Sequence, residues 1–366
     1  MNRRDVNSVS LRRNDMNIKD LYADEALRIS SLMLEAAEEV QEADGAVLVF
    51  LHKSVDGDCI GAACAAASIL MSMGVIAKVA MPEKLPENMA FLGVDDLLFY
   101  PEDFDSEEIM VDGKKVLKVM SVDCTEGDRM GDCGKIYNRF EDAITVDHHE
   151  VTELRNDRKW IEPQASSACE MMYYVAHQTA EMLAGELKDI IDERVAACIM
   201  AGIVTDTGRF TYTNTRPETL EVAGSLMQLG GDIGKVCYNL FDRKTPAEFM
   251  ISNTACTRSE ILADGKMAIC CVSEKMYEEF GATKDDVSDV VSKLRDIDGV
   301  EFAVVLRDAG EDSIRANLRS KATFDCSEFA AKYGGGGHKR AAGFTVTGKD
   351  LDSLKAEVVA EAAKLL

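Results

Sequence analysis

The sequence predicts an α/β protein of two domains: an N-terminal parallel sheet with helices on both faces, followed by a smaller C-terminal α/β domain. Three observations predict it. Short, continuously apolar runs alternate with stretches of helical period, the pattern of strands buried on both faces and joined by crossover helices. The chain has 366 residues, and at about 100–200 residues per domain that length makes two. Acidity is shared unevenly: the whole chain carries 41 Lys and Arg against 65 Asp and Glu, whereas residues 261–366 carry 15 against 19.

The elements follow in order. Residues 1–25 are polar and charged, and read as an N-terminal extension without the apolar stretch of a secretory signal. Residues 46–51 (AVLVFL) form the first strand, 58–73 an Ala-rich helix, 75–80 a second strand, 116–122 a third and 143–146 a fourth. From 167 to 241 the period is helical, and Ser167-x-x-Glu170 reads as a capping box. The first domain spans 26–243, a linker 244–260 and the second domain 261–366. In the second, 266–272 and 300–306 read as strands, and 283–294 and 351–365 as helices.

Composition excludes several classes. With 46% hydrophobic and 29% charged residues and only 6 Pro, the chain is neither disordered nor fibrous. A net charge of −24 argues against binding long duplex nucleic acid, which needs an extended basic surface. Locally, however, Arg315, Arg319, Lys321, Lys332, Lys339 and Arg340 face only Asp325 and Glu328 in sequence, a basic patch suited to a small phosphate-bearing ligand. The longest weakly polar run, 61–74, is too short to span a bilayer, so no membrane segment is expected. The 11 Cys are scattered without a CxxC pair, which predicts buried reduced thiols and a cytoplasmic protein.

Four segments place acids or imidazoles just beyond apolar runs: His52-x3-Asp56-Gly57-Asp58, Asp123, Asp147-His148-His149, and Asp206-Thr207-Gly208. Ligands of open parallel sheets bind beyond the carboxyl ends of the strands, where three of these segments would meet. Taken alone, Asp56-Gly57-Asp58 is more often a turn, and Asp123 more often a cap or surface carboxylate. Two imidazoles and a carboxylate directly after a buried strand need partners. Carboxylates with imidazole and no thiolate suit Mn2+, with Co2+ or Mg2+ as alternatives, and there are enough of them for two ions sharing a bridge. Only five histidines exist, and three lie in these segments. His177, on a periodic helical stretch, reads as non-catalytic. The Gly334–Gly337 run, followed by His338, Lys339 and Arg340, has no helical or strand pattern and reads as an anion-binding loop. Arg319, on an alternating run, offers a guanidinium for bidentate phosphate contact.

Together these motifs resemble the DHH/DHHA1 phosphoesterase family over residues 25–348. His52, Asp56-Gly57-Asp58 and Ile60-Gly61 resemble its first motif, Asp123 the second, Asp147-His148-His149 the third, and Asp206-Thr207-Gly208 the fourth. Arg319-Ser320 and Gly335-Gly336-Gly337-His338 resemble its C-terminal substrate domain. Val55 stands where the family often has Pro, Ala168 where it has Thr, and Arg340 where many relatives have Asn. The length suits the short group of bifunctional oligoribonucleases and 3′-phosphoadenosine 5′-phosphate (pAp) phosphatases. The resemblance implies two Mn2+ ions, one held by His52, Asp56 and Asp123, the other by Asp58, Asp123, His148 and Asp206. It implies that His149 stabilises developing charge while Asp147 orients its neighbours. It also implies that Arg319, Ser320, Gly335, Gly336, Gly337 and His338 bind substrate at a cleft between the domains. The expected substrates are pAp and short single-stranded RNA of about two to five nucleotides. The alternatives are a phosphodiesterase for pApA, pGpG or cyclic di-AMP, or a nucleotide-sensing regulator on the same fold. A homodimer is among the assemblies the resemblance allows.

Overall fold

The computed structural model describes residues 22–106, 108–150, 156–310 and 312–366. The chain divides into two compact units, residues 1–243 and 244–366. Most of the stretch expected as the N-terminal extension, residues 1–21, lies outside the described residues. Its end does not: the first described helix, α1 (Ala23–Glu42), already includes Asp24 and Glu25 in its first turn.

The first unit is built on a sheet with the order β3-β2-β1-β5-β6-β7, in which β4 pairs with β5. Its strands are β1 (Ala46–Phe50), β2 (Ile76–Ala80), β3 (Leu98–Phe99), β4 (Met110–Val111), β5 (Lys114–Val122), β6 (Ile144–Asp147) and β7 (Lys159–Ile161). All are parallel except β4. The central strand β1 is buried along its whole length. Successive side chains point to opposite faces, so its residues divide between two cores. Val47 and Val49 join the core formed with α1, α2 (Gly57–Ser72), α4 (Ala168–Met182) and α5 (Glu193–Asp206). Ala46, Leu48 and Phe50 join another with Ile136 and Tyr137 of α3 (Cys133–Tyr137). This two-sided burial is why the run lacks polar alternation. From β1 the chain builds outward through β2 to β3, then returns to lay β5 against the other side of β1. That reversal makes a topological switch point at the carboxyl ends of β1 and β5. Two further helices, α6 (Pro217–Gln228) and α7 (Ile233–Cys237), complete the helical stretch expected from 167 to 241.

In the second unit, most of the expected linker is helix: α8 (Pro246–Thr257), with Thr245 as a side-chain N-cap and Pro at its first position. It packs Ile251 and Ala255 into this unit's own core, which is why it does not behave as a tether. The sheet is mixed, with order β12-β13-β11-β10-β9-β8. Its strands are β8 (Glu260–Leu262), β9 (Met267–Val272), β10 (Phe302–Gly310), β11 (Ser313–Ser320), β12 (Gly336–His338) and β13 (Ala341–Thr347). Only β9 and β10 run parallel. Helices α9 (Glu274–Phe280) and α10 (Val290–Asp296) cover Ala268, Cys270, Ala303 and Val305 on one face. On the other, α11 (Cys326–Ala331) and α12 (Leu351–Ala362) cover Ile269, Val304, Ala316 and Leu318. The cysteines are all free. Among the described residues, no helix is long and apolar enough to cross a membrane.

Candidate active site

Four segments of the first unit bring their polar side chains together at the switch point. His52 follows β1. Its Nε2 lies 3.1 Å from Asp123 Oδ2 and 3.7 Å from Asp56 Oδ2, while Nδ1 is 2.8 Å from the Lys53 carbonyl. Asp56 is the N-cap of α2: its Oδ1 accepts the N–H groups of Asp58 (3.1 Å) and Cys59 (3.0 Å), leaving Oδ2 to face His52. The Asp-Gly-Asp stretch is therefore both a helix start and part of the cluster.

Asp58 sits in the first turn of α2 and is wholly buried. Its two oxygens accept the first N–H groups of α4, from Ala168 (2.7 Å) and Cys169 (2.8 Å). A helix N-terminus is a ready anchor for a carboxylate.

Asp123 follows β5 with φ +55°, a left-handed conformation that costs a residue with a Cβ about 1–2 kcal/mol. Its N–H is held by the Val146 carbonyl at 2.9 Å. Strain of this kind collects at functional sites. Here it turns the carboxylate so that Oδ1 lies 3.4 Å from His148 Nε2 and 3.3 Å from His149 Nδ1, while Oδ2 meets His52.

His148 Nε2 is also 3.6 Å from Asp58 and 3.3 Å from Asp206, the last residue of α5. Asp147, buried at the end of β6, accepts both the backbone N–H of His149 (2.9 Å) and its Nδ1–H (2.8 Å). That pair of bonds fixes the imidazole's tautomer and direction. His177 lies on α4, with Nδ1 3.6 Å from Glu181, and joins none of these groups.

The donor set fits divalent cations. Three groupings place their candidate ligand atoms within 4.8 Å of one another: His52, Asp56 and Cys59; Asp123, His148 and His149; Asp58, His148 and Asp206. Asp123 Oδ1 and His148 Nε2 are buried without a well-formed hydrogen bond. Buried acceptors and imidazole nitrogens left in this state, facing one another at 3.3–3.6 Å, suit coordination better than packing.

The electrostatics agree. Burial and the nearby Asp123 charge push Asp58 up to about 7, and burial with the Asp58 charge pushes Asp206 up to about 9. Burial works against charging His148, but the neighbouring Asp123 and Asp58 carboxylates outweigh it and raise the imidazole to about 9. Contact with Asp123 and Asp147 raises His149 to about 10. The ion-free site thus retains protons that an unfolded chain would release, from pH ~4 for the two carboxylates and ~6.5 for the histidines. Stability falls with pH wherever the folded state binds more protons, so all four groups act in one direction. The ion-free melting temperature should decline from pH 5 to pH 9, and a divalent ion should raise it more at pH 9 than at pH 5. Thermal melts in EDTA and in Mn2+ check this; an ion-free protein that gains stability across that window would contradict the site's charge balance.

The second unit places its expected residues less uniformly. Arg315, Asn317 and Arg319 alternate onto one face of β11. Arg319 pairs with Ala341 on β13, and Ala341 with His338 on β12, so the guanidinium and imidazole share one cross-strand row. Ser320, expected at the substrate, lies on the opposite, core-facing side of β11. It is buried, and its hydroxyl donates to the Phe324 carbonyl at 2.7 Å. The glycine run is not irregular throughout: Gly336–His338 is a strand paired with β13, and Lys339 and Arg340 form the hairpin tip. Two glycines are required there. A Cβ on Gly335 would lie 2.3 Å from the Gly343 carbonyl, and one on Gly337 (φ +139°) 2.6 Å from that of Ala341.

Known proteins resemble this chain in both units. The model for the DHH family, N-terminal domain, matches residues 46–203, and that for the DHHA1 domain matches residues 264–364. A bifunctional oligoribonuclease and PAP phosphatase NrnA of Thermus thermophilus is 28% identical over 86% of this chain and 89% of its own length. The protein of the same name from Bacillus subtilis is 28% identical over 81% and 89%. An exopolyphosphatase-related protein from Bacteroides fragilis shares the fold, with a TM-score of 0.77 at 21% identity over 92% of this chain and 97% of its own.

Proposed function

The chain belongs to the DHH/DHHA1 family, and on that premise we propose that it is a divalent-metal-dependent phosphoesterase hydrolysing pAp and short oligoribonucleotides to nucleoside monophosphates. The observation that carries the proposal is the meeting of His52, Asp56, Asp58, Asp123, His148 and Asp206 at the β1/β5 switch point, with Asp123 between the other groups. His52, Asp56 and Asp123 would hold one ion, and Asp58, Asp123, His148 and Asp206 the other. When bound, two such ions, Mn2+ for preference, activate water and neutralise charge on the phosphoryl oxygens.

The protein's own groups do the rest. His149, one third exposed and fixed through Nδ1 by Asp147, donates to the phosphoryl or leaving oxygen as negative charge builds there. Asp147 and Asp123, both facing Nδ1, favour the imidazolium, so Nε2 carries the proton that is donated. Arg319 and His338, with the glycine backbone between β12 and α11, grip a phosphate already present on the substrate. Gripping an end phosphate favours small substrates and accounts for RNA chemistry in so acidic a chain. The protein is proposed to work in the cytoplasm.

A turnover panel of pAp, pApA, pGpG and a 5′-phosphorylated RNA pentamer with Mn2+ tests the reading. Release of mononucleotides from pAp and the pentamer is expected. Turnover of pApA or pGpG alone would replace the substrate class, and binding without turnover of any of the four would make the chain a sensor.

A further inference from the structure

We infer that Asn214 is a positioning residue that sets the spacing of Asp58 and Asp206; the inference rests on the two-ion reading above. Its Nδ2 group donates one hydrogen to the Ser166 carbonyl (3.0 Å) and the other to the Asp206 carbonyl (3.1 Å). These two acceptors lie 40 residues apart in sequence and belong to the two segments that fix opposite sides of the His148 cluster.

The Ser166 segment is rigid on its other flank. Glu170, wholly buried, accepts the Ser166 N–H (3.1 Å), the Ser166 hydroxyl and the Thr219 hydroxyl (2.9 Å). Its remaining oxygen is bound by Arg216 at 2.8 Å. Ser167 then caps α4, and the next two N–H groups hold the Asp58 carboxylate. Asp206 ends α5, where Thr205 and Thr207 tie their hydroxyls back to the preceding turn, while its own carbonyl is met by Asn214. Asn214 therefore transfers the rigidity of the Glu170–Ser166 frame to the Asp206 backbone.

The chemistry requires an amide. One short side chain must supply two N–H donors from a single nitrogen to two carbonyl oxygens. Ala supplies none, and Asp would set a carboxylate against both carbonyls. Without the amide, the Asp206 carbonyl loses its tie to the segment whose next N–H groups hold Asp58. The His52–Asp56 side of the site receives nothing from Asn214, so the effect should fall on one ion only.

Titration of the ion-free full chain with Mn2+, followed by calorimetry and by electron paramagnetic resonance, tests this. Wild type should take up two equivalents, with the spectrum of coupled ions. Asn214→Ala should keep binding at His52, Asp56 and Asp123 and weaken the other equivalent roughly 10- to 100-fold, the scale for a group that orients a ligand. The first equivalent should then show an uncoupled Mn2+ signal. Asn214→Asp should be weaker still, and Asn214→Gln, which retains both donors, should recover part of the loss. The ion-free melting temperature, measured in parallel, should stay near wild type. Two equivalents bound as in wild type by Asn214→Ala would overturn the inference. So would loss of both ions together with a lowered ion-free melting temperature in every variant, Asn214→Gln included. A wild-type protein that takes up fewer than two ions would instead sink the two-ion reading itself.

Discussion

Asp123→Ala should remove turnover almost entirely, by about a thousandfold or more. One change strips a group shared by both proposed ions, and several kcal/mol of charge stabilisation go with it. The prediction rests on geometry: a carboxylate 2% exposed, with His52 on one oxygen and His148 and His149 on the other. Asp123→Asn is the companion variant, because Asn tolerates the left-handed backbone at φ +55° while lacking the charge. It should fold like wild type and still fail to turn over. His149→Ala marks the contrast. If His149 acts on developing charge, metal content by mass spectrometry stays at the wild-type value while the rate falls by roughly 100- to 1,000-fold. His177→Ala should behave as wild type. An Asp123 variant with His177-like kinetics would remove the shared-ligand assignment, and loss of an ion from His149→Ala would make that histidine a ligand.

Arg319→Ala should act on binding. The residue lies in the second unit, on the β11 face that it shares with Arg315 and Asn317, whereas every proposed metal ligand lies in the first. Loss of a charge-assisted, bidentate phosphate contact should cost roughly 1.5–3 kcal/mol, about 10- to 150-fold in kcat/KM. The loss should appear on pAp and on 5′-phosphorylated dinucleotides, and much less on a chromogenic phosphodiester with no terminal phosphate. His338→Ala, one cross-strand row away, should show the same selectivity with a smaller loss. Metal content should not change in either variant. An equal loss on both substrate types would place Arg319 at the scissile phosphate and end the terminal-phosphate model.

The parts of the fold legible in sequence are those where burial leaves a chemical trace. The runs at β1, β5 and β6 are apolar because both faces of the sheet are covered. The strands β3, β4 and β7 span two or three residues each, too short for any period to show. At the site, the acids and imidazoles announced themselves by type and position. The groups that hold them did not. Asp58 is anchored by backbone N–H groups of Ala168 and Cys169, which carry no residue signature. Ser167 caps α4 as its spacing to Glu170 suggested, but the Glu170 side chain turns to Ser166, Thr219 and Arg216 rather than back to the cap. Asn214 sits in a loop whose sequence gives no hint of the two carbonyls that it joins. The burial of Ser320 is legible in the sequence: with Arg319 outward, strand alternation alone turns the next side chain to the core. The strand inside the glycine run could not be anticipated, since glycine has little strand propensity and its pairing depends on β13.

The Asp and His cluster is proposed to hold the divalent ions with which this chain breaks phosphoester bonds. The most direct test is hydrolysis of pAp by the protein before EDTA dialysis, after it, and after return of Mn2+. Turnover is expected to disappear on dialysis and return with Mn2+, together with two bound equivalents. Full turnover by the exhaustively dialysed protein would contradict the proposal.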